Sequence, residues 1–391
     1  MKPILSVVVA TKNRVKYCIA CIEAFLHLPD VDIEIIIQDN TDNLELKYYI
    51  NNEVSDNRLK YRYISPPFSS IDNFNAAIEM ATGEYVCMIG DDDAILPDLI
   101  KITRWAFKKD IDSIAPKSII NYTWPDQNNF GSKLDIPFFS YKCESVLLEQ
   151  QLISYLSDGC AKTFRNYNLP ALYHGIVRRS CLEEIKSITG HYVGGLSPDS
   201  YSSVALSQIV RNHIVLDYPL TIAGACPAST TIQGSQGSHR GLLKNAPHFR
   251  DRGNYVWLKN IPKFYSVETI WAESALRALV ELNKLELLSN FSDRYLFSYA
   301  VIKNLPIKSI ILKYTNLYLK NMRLNAVSFY VSCFFVIVKL KIIEHTILRI
   351  KSKKLRGKHN IFNNIKNIES AISKSVISIE KYDSRRELER K

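Results

Sequence analysis

Two unbroken apolar runs constrain this chain most. "ILSVVVAT" (Ile4–Thr11) and "DIEIIIQDN" (Asp32–Asn40) hold β-branched residues at consecutive positions with almost no polar alternation. A strand written this way must be covered on both faces, as happens where helices flank a mostly parallel sheet. Between the runs, "KNRVKYCIACIEAFLHL" places Val15, Ile19, Ile22 and Leu26 at roughly helical spacing. Strand, helix, strand in under 40 residues is a β-α-β unit, whose crossover is right-handed. "LKYRYIS" (Leu59–Ser65) predicts a third strand. "DNFNAAIEMAT" (Asp72–Thr82) predicts a helix capped by Asp72 and closed at Gly83, and "EYVCMI" predicts a fourth strand.

That fourth strand runs directly into "GDDD", so Asp91, Asp92 and Asp93 follow one another. Three adjacent carboxylates repel, and keeping them ionised costs free energy unless a cation sits among them. They are either a solvated turn or a cation site. In open α/β sheets ligands bind outside the carboxyl ends of the strands. Asp39, at the end of "IEIIIQD", and Asp91–Asp93 occupy equivalent ends of two strands, which makes a nucleotide site plausible on geometry alone.

Beyond residue 114 the pattern weakens. "SIAPKSIINYTW" predicts a strand, "ESVLLEQQLISYL" an amphipathic helix, and "LYHGIVRRSCLEEI" a strand running into a helix. "GGLSPDSYSSVALSQIV" predicts a helix with Asp199 in its first turn, and "QGSQGSHRGL" a loop carrying His239 and Arg240. His174 reads as a core histidine. The eight cysteines are scattered, and Cys18 with Cys21 lacks the second pair a zinc site needs. No secretory leader is legible, so a reducing, cytosolic setting is expected.

The net charge of +11 is unevenly placed. Residues 301–391 hold 20 Lys and Arg against 6 Asp and Glu; the first 300 hold 30 against 33. No nucleic-acid footprint is therefore expected in the first 300 residues. The basic quarter contains "LNAVSFYVSCFFVIV" (Leu324–Val338), 15 uncharged residues between Arg323 and Lys339, short of the roughly 18 that a spanning helix needs. An apolar stretch next to a polybasic one predicts docking on an anionic membrane surface.

Four of these pieces, "SVVVATKNR", "IIIQDNTD", "NAAIEMATGEYV" and "GDDDAILPDL", together resemble glycosyltransferase family 2. These are inverting sugar-nucleotide transferases of the GT-A fold, an α/β architecture with a Rossmann-like, mostly parallel sheet. The resemblance covers Ile4–Leu99 closely and Tyr173–Ser229 more loosely. It implies a catalytic domain over 1–230, with a nucleotide half at 1–115 and an acceptor half at 116–230. Residues 231–300 would close the site, and 301–391 would form a helical basic C-terminal appendage.

The resemblance implies that Asp39 receives a uracil-type base and that Thr11, Asn13 and Arg14 line the nucleotide pocket, with Asn75 nearby. It makes the aspartates a DXD-like motif holding Mg²⁺ or Mn²⁺ on the diphosphate, through Asp92 or Asp93, with Asp91 turned to the ribose. Hard divalent cations suit carboxylates plus phosphate oxygens. Two positions depart from the family pattern: Gly90 stands where many members carry Asp, and Phe74 where a basic residue is common. Asp199 matches the family's general base, while His239 and Arg240 would fold over the diphosphate.

The implied activity is inverting transfer from a nucleoside-diphosphate sugar, with UDP-sugars favoured. The acceptor would be a glycan or a polyprenyl-linked glycan, at the cytoplasmic face of the inner membrane, in bacterial surface-polysaccharide synthesis. A sugar-phosphate nucleotidyltransferase shares the architecture but favours a Gly-rich loop after the first strand, and "ATKNRVKY" has no glycine. A non-catalytic membrane- or nucleic-acid-binding protein acting through the basic tail is the alternative from another class.

Overall fold

The computed structural model describes residues 2–125, 132–229, 239–354 and 359–389. Its first apolar run is strand β1 (Leu5–Thr11) and its second is β2 (Ile33–Asp39), with all seven residues of each buried. They pair in parallel, Thr11 opposite Asp39, and on β1's other side runs β4 (Tyr85–Ile89), also parallel. The half-buried β3 (Leu59–Tyr63) forms the edge beside β2.

Coverage on both faces is visible in the side chains. Val8, Ala10, Ile36, Val86 and Met88 enter one core; Leu5, Val7, Val9, Ile35, Cys87 and Ile89 enter the other. Successive residues of one strand thus divide between two cores, as the two-residue period requires. Each such Val, Ile or Leu removed from water is worth roughly 1.5–3 kcal/mol.

Helix α1 (Val15–Leu26) packs on the second core through Val15, Cys18, Cys21, Ile22 and Phe25, while Ile19 and Leu26 are only partly buried. The buried stripe is therefore rotated from the one that large residues alone suggested, because the two cysteines act as small apolar groups. All eight cysteines are free. Helix α2 (Glu45–Glu53) follows β2. Helix α3 (Ser70–Glu79) is capped by Ser69, whose Oγ accepts the Asp72 N–H; Asp72 lies in the first turn instead of at the cap.

The remaining strands extend the sheet and build a second one. Beyond β4 the large sheet continues through β10 (Ile176–Arg178), β6 (Ser113–Pro116), β11 (His213–Leu216) and β9 (Cys143–Ser145). "SIAPKSIINYTW" is two strands rather than one. Its second part, β7 (Ile120–Thr123), joins a five-stranded sheet in the order β15 (His359–Phe362), β8 (Lys133–Pro137), β7, β12 (Thr221–Ala225), β5 (Ala94–Ile95). Helices α4 (Asp98–Lys108), α5 (Leu148–Ser157), α6 (Arg179–Thr189) and α7 (Pro198–Ile209) flank the sheets. Helix α7 packs on α8 (Val267–Glu281), where Ser274 Oγ accepts the N–H groups of Leu196 and Ser197 at 3.0 and 2.8 Å. Residues 233–238 of the Gly/Ser loop lie outside the described residues. Arg240–Leu242 (β13) pairs with Phe264–Ser266 (β14).

The chain from Asp293 onward divides. Helices α9 (Asp293–Lys303), α10 (Lys308–Asn321) and α11 (Ala326–Lys354) share a small core that includes Phe297, Ile311, Leu319, Phe329 and Cys333. The chain then returns to the α/β body. β15 adds an antiparallel edge to β8, and α12 (Ile368–Glu389) buries Ile368, Ala371 and Ile379 in the core that α1 faces. Part of the expected appendage is thus a strand and helix of the α/β body.

Candidate active site

The carboxyl ends of β1, β2 and β4 meet at one edge of the sheet. Thr11 Oγ1 donates to Asp91 Oδ2 at 2.5 Å, tying the end of β1 to the turn after β4. Asn13, at φ 59°, bridges to the loop after β2. Its Nδ2 donates to Asp42 Oδ2 at 2.7 Å, and its Oδ1 accepts the Asp42 N–H at 2.9 Å. The left-handed conformation is one that Asn tolerates better than most residues.

Arg14 answers the question the three aspartates raise. Its Nη2 stands 2.5 Å from Asp91 Oδ1 as a charge contact, its Nε donates to Asp91 Oδ2 at 3.1 Å, and its Nη1 donates to Asp92 Oδ1 at 3.3 Å. Burial pulls the guanidinium down, but Asp91 and Asp92 outweigh it and raise its pKa. Burial raises Asp91 and Asp92 above the usual carboxylate range, with Arg14 pulling both back. The turn is therefore no solvated loop; all three aspartates are buried.

Asp93 has a different task. It accepts the N–H groups of Gly90 at 2.6 Å and Gly224 at 2.7 Å, and the Tyr173 hydroxyl at 2.9 Å. His174 Nε2 lies 3.4 Å away, its ring kept neutral chiefly by burial, as suits the core histidine expected there. Both Asp93 oxygens are thus committed to the protein. Asp92 spends Oδ2 on the Cys226 N–H at 3.0 Å and keeps only the long Arg14 contact on Oδ1. Among the described residues no group of three or more His, Cys, Asp or Glu is arranged to hold a metal ion. Asp92 thus keeps one oxygen free of backbone donors, whereas each Asp93 oxygen accepts a backbone N–H.

Gly90 is where the family pattern has a carboxylate. A Cβ here would stand 2.6 Å from the Tyr173 hydroxyl, so that hydroxyl fills the space a side chain would need. Gly224 of β12 is closer still, since a Cβ would come within 1.7 Å of the Asp92 carbonyl oxygen. Trp124 Nε1 donates to the same oxygen at 2.9 Å. The second sheet thus clamps the aspartate turn from behind.

A cavity of about 420 Å³ opens over these strand ends, lined by Thr11, Lys12, Asn13, Arg14, Asn40 and Asn73 among others. Asp39 lies beneath it, fully buried, its Oδ1 accepting the Thr41 N–H and its Oδ2 the Tyr61 hydroxyl, both at 2.8 Å. Two lining groups escaped the sequence reading. The Asn40 and Asn73 side-chain oxygens are buried with no hydrogen-bond partner among the described residues. Such oxygens cost free energy unless a ligand supplies donors. Arg250 and Asp251 also line the cavity and carried no sequence signal. Phe74 is part of the same wall.

Three expected residues lie elsewhere. Asn75 Nδ2 donates to the Val193 carbonyl at 2.7 Å and its Oδ1 accepts the Tyr192 and Val193 N–H groups, so its amide ties α3 to the loop after α6. His239 and Arg240 line a separate cavity bounded by Trp271 and Tyr299.

Asp199 stands at the start of α7, after the Ser197 cap and Pro198. No hydrogen bond reaches its carboxyl among the described residues. Burial pushes that carboxyl up to about 6; Arg165 pulls it down and Asp93 raises it further. Some of its surface stays open. A half-buried, unpartnered carboxyl near the aspartate turn and titrating near neutrality is suited to taking a proton.

Residues 6–161 match the family model for glycosyl transferase family 2. The chain is 27% identical over 115 residues to a chondroitin synthase of Escherichia coli, a stretch covering 28% of this chain and 16% of that protein. It is 30% identical over 114 residues to a hyaluronan synthase of Pasteurella multocida, covering 28% and 11%. The chain thus spans less than a fifth of these relatives' length. Among solved structures, Staphylococcus aureus TarS 1–349 in complex with UDP-GlcNAc aligns over 79% of this chain and 76% of that one, at 17% identity and TM-score 0.44. The mannosyltransferase PcManGT of Pyrobaculum calidifontis, in complex with GDP-Man and Mn²⁺, aligns over 86% and 88%, at 11% identity and TM-score 0.38.

Proposed function

We propose, for a chain that belongs to glycosyl transferase family 2 through residues 6–161, inverting transfer of a sugar from a nucleoside diphosphate to a glycan or lipid-linked acceptor. The observation that carries the reading is the strand-end cavity, lined by Arg14, which is held against Asp91 and Asp92, and by Asn40 and Asn73, whose amide oxygens are unpartnered among the described residues. Asn40 and Asn73 offer acceptors to the N–H and O–H groups of a nucleoside, UDP being favoured. Lys12, Arg14 and Arg250 offer positive charge to its diphosphate.

Asp199 takes the proton of the acceptor hydroxyl. The freed oxygen attacks the anomeric carbon from the face opposite the diphosphate. The bond to the diphosphate breaks, its electron pair leaves with the nucleotide, and the configuration inverts. A Mg²⁺ or Mn²⁺ ion held by Asp92 and the diphosphate would supply counter-charge to the leaving group.

Helix α11 supports placement on a membrane. Its residues 326–343 are long and apolar enough to cross one, more than the 15-residue run suggested, yet one face packs inward through Phe329 and Cys333. The other face exposes Val327, Val331, Phe334, Phe335 and Ile342. A helix committed on one side to protein and apolar on the other lies along the interface. Attachment at the cytoplasmic face, in surface-polysaccharide synthesis, is the setting proposed with it.

The test is thermal shift with a panel of nucleotide sugars with and without Mn²⁺, followed by detection of free nucleoside diphosphate. Stabilisation by at least one nucleotide sugar is expected, and the absence of any shift across the panel overturns the reading.

A further inference from the structure

The cavity holding His239 and Arg240 has about 360 Å³ and shares no lining residue with the strand-end cavity. Its walls come from the turn after α5, the start of β13, and helices α8 and α9. Three cations line it: Lys162, Arg240 and Lys303. Lys162 is balanced by Asp158 at 2.9 Å, whereas the Arg240 side chain meets no partner among the described residues. Lys303 Nζ lies 5.6 Å from the centre of the Tyr299 ring. The one acid in the lining, Glu268, is buried, which raises its pKa, and its Oε2 accepts from Asn304 Nδ2 at 3.1 Å. Lys303 acts on Glu268 by charge, so Arg240 is the cation in excess of the acids at this cavity.

Two further features point to a ligand. His239 is 8% exposed and its Nε2 has no hydrogen-bond partner among the described residues. Two aromatic residues, Trp271 and Tyr299, line the same space. Cations would serve no purpose for a wholly apolar ligand, and rings little for a bare inorganic ion. A sugar bearing a phosphate or carboxylate uses both, with C–H faces against the rings and the anion on Arg240.

A neighbour in the chain links the cavity to the proposed base. Asn166 lines it, and the preceding Arg165 is the cation whose charge pulls on Asp199. Helix α9, which carries Tyr299 and Lys303, packs on α11. We propose that this cavity is the subsite for an anionic saccharide acceptor, with its phosphate or carboxylate on Arg240 and Lys303 and its ring on Trp271. The inference rests on the glycosyl-transfer reading. Its anion is either the carboxylate of an acidic glycan or the phosphate of a lipid-linked one.

Calorimetry on the full chain tests it, with glucose, glucuronic acid, glucose 1-phosphate and farnesyl diphosphate as probes and UDP as control. Both anionic sugars should bind at least about tenfold more tightly than glucose, a difference of about 1.4 kcal/mol. Lys303→Glu and Arg240→Gln should each abolish that preference, while Lys303→Glu binds UDP as the parent does. Tighter glucuronic acid assigns the anion to a glycan carboxylate; tighter glucose 1-phosphate or farnesyl diphosphate assigns it to a lipid-linked phosphate. Equal affinity for glucose and the anionic sugars overturns the subsite, as does a preference that survives both substitutions in proteins that melt like the parent. Failure of UDP to bind the parent strikes the transferase reading instead.

Discussion

Arg14 and Asp91, 77 positions apart in the chain, meet with Nη2 2.5 Å from Oδ1. The loop after the first strand thereby supplies the cation that the acidic turn after the fourth strand needs. Thr11 holds the second Asp91 oxygen at 2.5 Å, so the turn is fixed before any ligand arrives. Pre-organisation of this kind lowers the ordering cost of binding.

Removing the guanidinium should therefore destabilise the fold as well as the site. Arg14→Met leaves Asp91 and Asp92 buried without a counter-charge, and breaking such a pair costs roughly 3 kcal/mol. Burial raises both carboxyls, so protonation relieves their repulsion. A group with a raised folded pKa loses its contribution as pH climbs through that value. The deficit should accordingly be smaller at pH 5 than at pH 8. Urea denaturation of both proteins at the two pH values measures it, and an equal deficit would contradict the assignment.

Asp92 and Asp93 should separate experimentally. Asp92→Asn should remove the metal-dependent tightening of UDP binding, because Asp92 Oδ1 is the oxygen not committed to backbone donors. Asp93→Asn should instead lower stability by roughly 1–3 kcal/mol through its bonds to Gly90 and Gly224, while retaining metal-linked UDP binding. Calorimetry with and without Mn²⁺ reads the first and thermal melting the second. Unchanged linkage in Asp92→Asn would make the cluster a structural turn alone.

Asp199→Asn should keep donor affinity and slow transfer by roughly 10²–10⁴. A base works deprotonated, so the parent's kcat/KM should rise with pH through about 6. Arg165 pulls that carboxyl down; Arg165→Met should shift the rising limb to higher pH. A near-parental rate in Asp199→Asn removes the residue from the chemistry.

What the sequence made legible was whatever local periodicity encodes. The runs 4–11 and 32–40 became β1 and β2 because full burial on both faces leaves an unbroken apolar signature. The strand ends then located Asp39 and Asp91–Asp93. Less legible were contacts between distant segments: Gly224 and Cys226 holding the aspartates from a second sheet, Asn40 and Asn73 lining the cavity, and Arg250 reaching it from beyond the Gly/Ser loop. None of these has a spacing rule, since each depends on which loops the topology brings together. Ser69 replaces Asp72 as the cap because the helix begins earlier, where the Ser69 hydroxyl accepts the Asp72 N–H and leaves Asp72 inside the first turn. The final segment misled through composition: "HNIF" and the helix after it lie in a basic, Asn- and Ile-rich region, yet they complete a sheet edge and a core.

That last point decides how membrane attachment must be tested. Cutting the chain near Leu305 would remove β15 and α12, so loss of vesicle binding could reflect a damaged core. Substitution on the outer face of α11 avoids this, since Phe334 and Phe335 are 62% and 65% exposed while Phe329 and Cys333 opposite are buried. Phe334→Asp with Phe335→Asp should leave the melting temperature near the parent's, because neither ring packs in the core. Each phenylalanine buried in lipid contributes roughly 1.5–3 kcal/mol, so the double variant should bind anionic vesicles at least tenfold more weakly in sedimentation. The basic residues clustered after Val338 add about 1 kcal/mol each near an anionic surface, screened over about 8–10 Å in physiological salt. Parental protein should therefore pellet with anionic vesicles, less so in high salt, and only weakly with neutral ones. A double variant that pellets like the parent, or a parent that never pellets, would leave the exposed face of α11 without a lipid partner.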